Sequence, residues 1–197
     1  DDVESRGLGD VYKRQKESGA VGNNNETIVK YGLQKAGSFL LDLIITFICA
    51  AFFGIPIEGL VFWIVLFVQR MYIGGYHAKT QLRCLFISWI VTIISFWIIK
   101  MDMSDRVLLY MMGVVTIIIW LAAPVEAENK PLSERERVLY RKIGKWMMGI
   151  CFMVAVIAKS IHLYVIFKPL ALATIGTGLG VIIALVLKYQ KAGNCRK

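Results

Sequence analysis

Cysteine and histidine are scarce in this chain. Four cysteines and two histidines occur among 197 residues. No two cysteines are spaced C-x-x-C, and Cys49, Cys84, Cys151 and Cys195 spell no disulfide framework. His77 and Cys84 are the one such pair close in sequence, and together they leave a zinc site two or more ligands short. No metal and no other cofactor is therefore expected. Cys49 and Cys151 lie in apolar runs, where a cysteine acts as a small hydrophobe. Acid is short as well: 14 Asp+Glu stand against 23 Lys+Arg, a formal charge of +9. No polar stretch is long enough to fold as a basic domain, so the excess cation does not point to nucleic acid. Residues 1–25 are polar, glycine-rich and mixed in charge, without the apolar core of a signal peptide. They read as a disordered or non-native segment, with 1–15 foreign to the fold.

Apolar sequence is what the chain has in plenty. Hydrophobic residues make up 57% of it and the mean hydropathy is +0.60. One soluble core does not need that much. Six apolar stretches cover residues 39–53, 57–68, 85–99, 107–123, 146–158 and 170–187. A full span takes about 20 residues at about 1.5 Å each. The expected fold is an all-α polytopic membrane protein of about six transmembrane or re-entrant helices. Gly54, Ile55 and Pro56 force a tight reversal between the first two, which could be full spans or a re-entrant pair. Asp42 and Glu58 fall in or beside this hairpin, and carboxylates at such depth usually face protein or water. The domain reading is a membrane domain over 26–187 followed by a basic tail over 188–197.

Cations sort by loop. Arg70, Lys79 and Arg83 lie between the second and third stretches, with no acid. Lys130, Arg135, Arg137, Arg141, Lys142 and Lys145 lie between the fourth and fifth, against four glutamates, and the tail adds Lys188, Lys191, Arg196 and Lys197. The opposite loops are poorer. This asymmetry places both termini and the two basic loops on the cytoplasmic side. In the second basic loop, Leu132, Val138, Leu139 and Ile143 are spaced among charges, the pattern of an amphipathic interfacial helix. Ser133 and Glu136 fit a capping box at its start.

The run from Arg70 to Cys84 is where a thiol, an imidazole, cations and a glycine pair meet. A cysteine nucleophile needs thiolate character and a base, and its oxyanion needs donors. His77 has a suitable unperturbed pKa for the base. Gly74 and Gly75 permit close backbone approach to a substrate. Thr80 is a candidate helix N-cap, which would put Cys84 in early helical turns where the dipole and Arg83 favour thiolate. On one straight helix His77 and Cys84 would be about 10.5 Å apart along the axis. A nucleophile–base pair therefore requires a break between them. Taken alone, a lone Cys near a lone His is weak evidence. Arg70 and Arg83 also fit as membrane anchors, and Gly74-Gly75 as a plain turn.

These residues resemble a family signature. Gly74-Gly75-Tyr76-His77-Ala78 followed by Arg83-Cys84, with Arg70 upstream, is similar to the accessory gene regulator B (AgrB) family. Ala123-Pro124-Val125 through Asn129-Lys130-Pro131 resembles the family's second motif. The resemblance covers residues 25–187. It implies a bacterial cell-membrane cysteine endopeptidase that processes the AgrD quorum-sensing propeptide. In that scheme Cys84 is the nucleophile and His77 the general base and acid. Arg70, Gly74 and Gly75 support the site or its oxyanion. The thiol attacks before the propeptide's acidic C-terminal segment and forms an acyl-thioester. A Cys or Ser within the propeptide then closes a thiolactone or lactone ring. A homodimer is a family-level expectation. Some members carry a lysine run where Lys130 here stands alone, so acidic-propeptide binding would pass to Arg135, Arg137, Arg141 or Lys142.

Two other classes fit less well. A non-enzymatic peptide transporter or scaffold should show internal repeats, and none is convincing. A membrane acyltransferase would release no C-terminal peptide. If Cys84 is an activated thiolate, it should react with a thiol-alkylating reagent faster than Cys49 or Cys151 near neutral pH in native membranes. Equal or slower labelling of Cys84 would contradict the activation.

Overall fold

The computed structural model describes residues 26–74, 81–101, 103–125 and 134–194. Six helices follow in order: α1 (Glu26–Phe52), α2 (Pro56–Ile73), α3 (Gln81–Lys100), α4 (Asp105–Ala122), α5 (Glu134–Ser160) and α6 (Tyr164–Asn194). No strand occurs among the described residues. Five of the helices are long and apolar enough to cross a membrane, and α3 contributes the shorter apolar segment Leu85–Lys100. The all-α polytopic architecture expected from the sequence is the one observed.

The chain divides into two compact units, Asp1–Ile45 and Thr46–Lys197. The described part of the first is the opening portion of α1, where the Ser38 hydroxyl donates to the Gln34 carbonyl at 3.0 Å. The second holds the rest of α1 and all other helices. α1 stops in a left-handed cap. Gly54 has φ +68°, its N–H bonds the Ala51 carbonyl, and the Ile55 N–H reaches back to the Ala50 carbonyl at 2.9 Å. Pro56 then starts α2, where its missing N–H costs nothing. α5 ends in the same way, with His162 (φ +58°) in the left-handed position and the Leu163 N–H on the Ala158 carbonyl. His162 Nδ1 also sits 2.8 Å from the Tyr164 hydroxyl, which gives this imidazole a structural role at a turn.

Contacts set helix directions. Phe62 meets Phe96 edge-on at 5.5 Å, and Arg70, two turns later on α2, reaches Ser88, two turns earlier on α3. These helices are antiparallel. Gly113 against Phe152, and Trp120 against Lys145, make α4 and α5 antiparallel by the same logic. The ends of α2 and α4 and the starts of α3 and α5 therefore share one end of the unit.

α6 packs on α2 and α4 through small residues. Ala171, Ala173, Thr174, Gly176, Thr177 and Gly178 bring backbones close, a common solution where lipid offers no hydrophobic drive between helices. Gly176 lies against Val91 and Leu66, and Gly178 against Val115. Large side chains point outward instead, with Leu121 78% and Trp146 68% exposed, as a lipid-facing surface requires.

Three boundaries differ from the sequence reading. Residues 69–73, expected in a polar loop, are the last turns of α2. Gln69 is only 1% exposed, and its Nε2 donates to Thr174 Oγ1 at 2.9 Å. A polar residue with a partner inside the bundle does not end a span. The amphipathic segment is likewise continuous with the fifth span, because Leu139, Ile143 and Trp146 keep helical spacing into the apolar run. Lys188 and Lys191, read as a tail, ride on the last turns of α6.

A side chain at Gly178 would collide with Val115. Gly178→Val should cost about 1–3 kcal/mol, read as a lower unfolding midpoint in detergent. Gly149→Val, where nothing among the described residues lies within 4 Å of an added carbon, should be tolerated.

Candidate functional site

The site is built where α2 ends. Ile73 is fully buried and Gly74 caps the helix with φ +75°, its N–H on the Arg70 carbonyl at 3.3 Å. The chain just past α4 meets it there. The Val125 N–H donates to the Ile73 carbonyl at 3.0 Å, and Gly74 and Val125 form an isolated parallel β-bridge. A side chain at Gly74 would strike the Val125 carbonyl, so this junction requires glycine twice, for its φ and for its contact. Beneath lies a small apolar cluster of Ile73, Val115, Ile119, Ala123, Val125, Met148 and Val181. The bridge thus joins the start of the glycine–histidine segment to the start of the segment holding Asn129, Lys130 and Pro131.

Arg70 occupies the last turn of α2, half buried, with Nη1 3.4 Å from the Ser88 hydroxyl on α3. α3 begins at Gln81, one residue past Thr80, so Cys84 is its fourth residue. The first four N–H groups of a helix have no partner within it, and their dipoles favour an anion. Position 84 precedes Ser88 by one turn on the same face, about 6 Å along the axis. Arg70 is thereby anchored one turn from the cysteine's position.

Gly75, His77 and Lys130 lie outside the described residues, and so does Ser133 of the expected capping box. Arg135, Arg137, Arg141 and Lys142 are all exposed on α5, but on different faces. Arg137 and Arg141 share the stripe of Gly144 and Met148, which turns toward α2: Gly144 borders Ile73, and Tyr140 meets Tyr72 edge-on at 5.7 Å. Lys142 and Lys145 line a groove against α4. Arg135 precedes Lys142 by seven residues and shares that side.

Sequence reasoning missed Ser88, Val125 and Gln69. Gln69 was visible as a lone amide closing an apolar run, and Val125 as part of the second motif. Nothing local marks Ser88, whose role depends on the antiparallel register of α2 and α3.

Comparison with known proteins bears on this arrangement. The family model for Accessory gene regulator B matches residues 11–189. The chain belongs to the accessory gene regulator B family. A Putative AgrB-like protein of Clostridium perfringens (strain SM101) is 25% identical over 130 residues, covering 62% of this chain and 61% of the relative. A second from that species, strain 13, is 26% identical with the same coverage. Accessory gene regulator protein B of Staphylococcus carnosus is 26% identical over 133 residues, covering 67% of this chain and 70% of that protein. The matched part spans about 61% of the Clostridium relatives' length. No solved structure matches. The two segments that resemble that family's motifs thus meet at one backbone pairing, Gly74 with Val125.

Gly74→Ala should destabilise the protein by about 1–3 kcal/mol, through strained φ and the clash with Val125. Gly54→Ala, with similar φ but only the flexible Lys100 ammonium at 3.9 Å from an added carbon, should lose less. Thermal unfolding of both variants in one detergent checks the order.

Proposed function

We propose that this chain is a membrane-embedded cysteine endopeptidase that cleaves an AgrD-type quorum-sensing propeptide near its acidic C-terminus and promotes its cyclisation. The observation that carries the reading is the Gly74–Val125 pairing, which holds the two signature segments of an AgrB-family chain together. In this scheme His77 takes the Cys84 proton, and the thiolate attacks the scissile carbonyl carbon. The resulting oxyanion meets the Gly75 backbone N–H, with the Arg70 guanidinium adding positive charge, while Gly74, its own N–H held by the Arg70 carbonyl, supports the turn. Collapse breaks the C–N bond, and His77 returns the proton to the leaving amine. The product is an acyl-thioester on Cys84 and a free acidic peptide.

The thioester keeps the acyl group activated. A thiol within the bound propeptide attacks it, expels the Cys84 thiolate and closes a thiolactone; a hydroxyl closes a lactone. Water must be held off meanwhile, and a site against apolar helices favours this. Arg137 and Arg141, on the α5 face turned toward α2, are placed to meet the acidic segment, with Lys130 as a further cation and Arg135 on the side of Lys142. Lys142 faces the other side of α5. The positive-inside asymmetry supports a cytoplasmic side for this end. Pairing of two copies, implied by the family, belongs to the same reading.

Cys84→Ala should abolish release of the C-terminal peptide, scored by mass shift of the propeptide in membranes. Normal cleavage by that variant would end the assignment. Arg70→Ala should lower turnover by roughly 10²-fold, and Arg70→Lys, which keeps the charge, should recover part of it.

A further inference from the structure

A laterally open groove of about 650 Å³ runs along α5, with Trp120 as its lining residue from α4. Trp120 forms one wall, and Gly149, Met153 and Ile157 belong to its apolar floor. Lys142 and Lys145 stand at the end nearest the start of α5. The Lys145 ammonium lies 5.3 Å over the Trp120 ring. The two lysines are three residues apart, so they share a face and repel each other. Their neighbours one turn away on α5 are Val138, Leu139, Arg141, Trp146, Met148 and Gly149, none of them a carboxylate.

The dimensions narrow the occupant. From Lys145 to Ile157 the groove follows α5 for about 18 Å, close to one leaflet of a hydrocarbon core about 30 Å thick. Tryptophan and lysine at one end match the headgroup boundary, where aromatic rings and ammonium groups settle. Basic pockets between spans attract anionic headgroups.

We propose that this groove binds one anionic glycerophospholipid, its phosphate between Lys142 and Lys145 and one acyl chain along Gly149, Met153 and Ile157. The lipid belongs to the leaflet on the Gly74–Val125 side. The site does not depend on Cys84 or on the peptidase reading.

Native mass spectrometry of the purified full chain, titrated with dioleoylphosphatidylglycerol or dioleoylphosphatidylcholine, tests this. Two lysines should give the anionic lipid a preference of roughly thirtyfold, with one molecule retained per chain. Lys142→Gln with Lys145→Gln should bring that preference close to one. Gly149→Leu, which extends into open space, should displace both lipids. Equal retention of the two lipids by the unaltered protein would overturn the proposal without recourse to any variant. So would a preference that survives both sets of substitutions, or a dimer that Gly149→Leu abolishes, which would assign the groove to a second copy.

Discussion

A backbone that leaves a helix beside hydrocarbon must pass its polar groups to another part of the chain, because lipid cannot bond them. At the end of α2 that partner is Val125, whose N–H donates to the Ile73 carbonyl. The surrounding architecture depends on this exchange. It brings the chain leaving α4 back over α2, above the apolar cluster of Ile73, Ile119 and Met148. It also places the entry to the glycine–histidine segment beside the entry to the second motif. Arg70, one turn before the pairing, then reaches α3 at Ser88.

A second polar contact, about 7.5 Å deeper along α2, holds the same helix laterally. The Thr174 hydroxyl donates to the Leu170 carbonyl at 2.8 Å, so toward Gln69 it accepts. That fixes the Gln69 amide with its nitrogen on Thr174 and, more distantly, on the Cys151 sulfur at 3.7 Å. The amide oxygen is left buried without a partner among the described residues. Such an atom costs free energy on its own. What it secures is one orientation of α2 against α5 and α6, the helices that carry the cationic stripe and the small-residue seam.

Legibility followed the range of the forces. Six apolar runs were readable because membrane length and composition are local properties, and α4 and α6 needed no context. The end of α2 was misjudged because Gln69 and Arg70 look like loop residues until their partners on α6 and α3 are known. The continuity of α5 was hidden by its charges, although Leu139, Ile143 and Trp146 keep the period. At the site, Cys84 and His77 stood out by chemistry alone, and the second motif made them persuasive. The pairing of Gly74 with Val125 was invisible, since no local pattern reports a contact between residues 51 positions apart.

The unbroken course of α5 has a mechanical side. Its 27 residues extend about 40 Å with no proline to bend them. One stiff rod therefore carries Arg137 and Arg141 on its exposed opening turns, Met148 in the packed cluster and Cys151 beside the Gln69 amide. A pull on the surface cations cannot be absorbed by a hinge at the water boundary. It is delivered as tilt to the middle of the bundle, so occupancy at the rim and packing at depth are geared to each other.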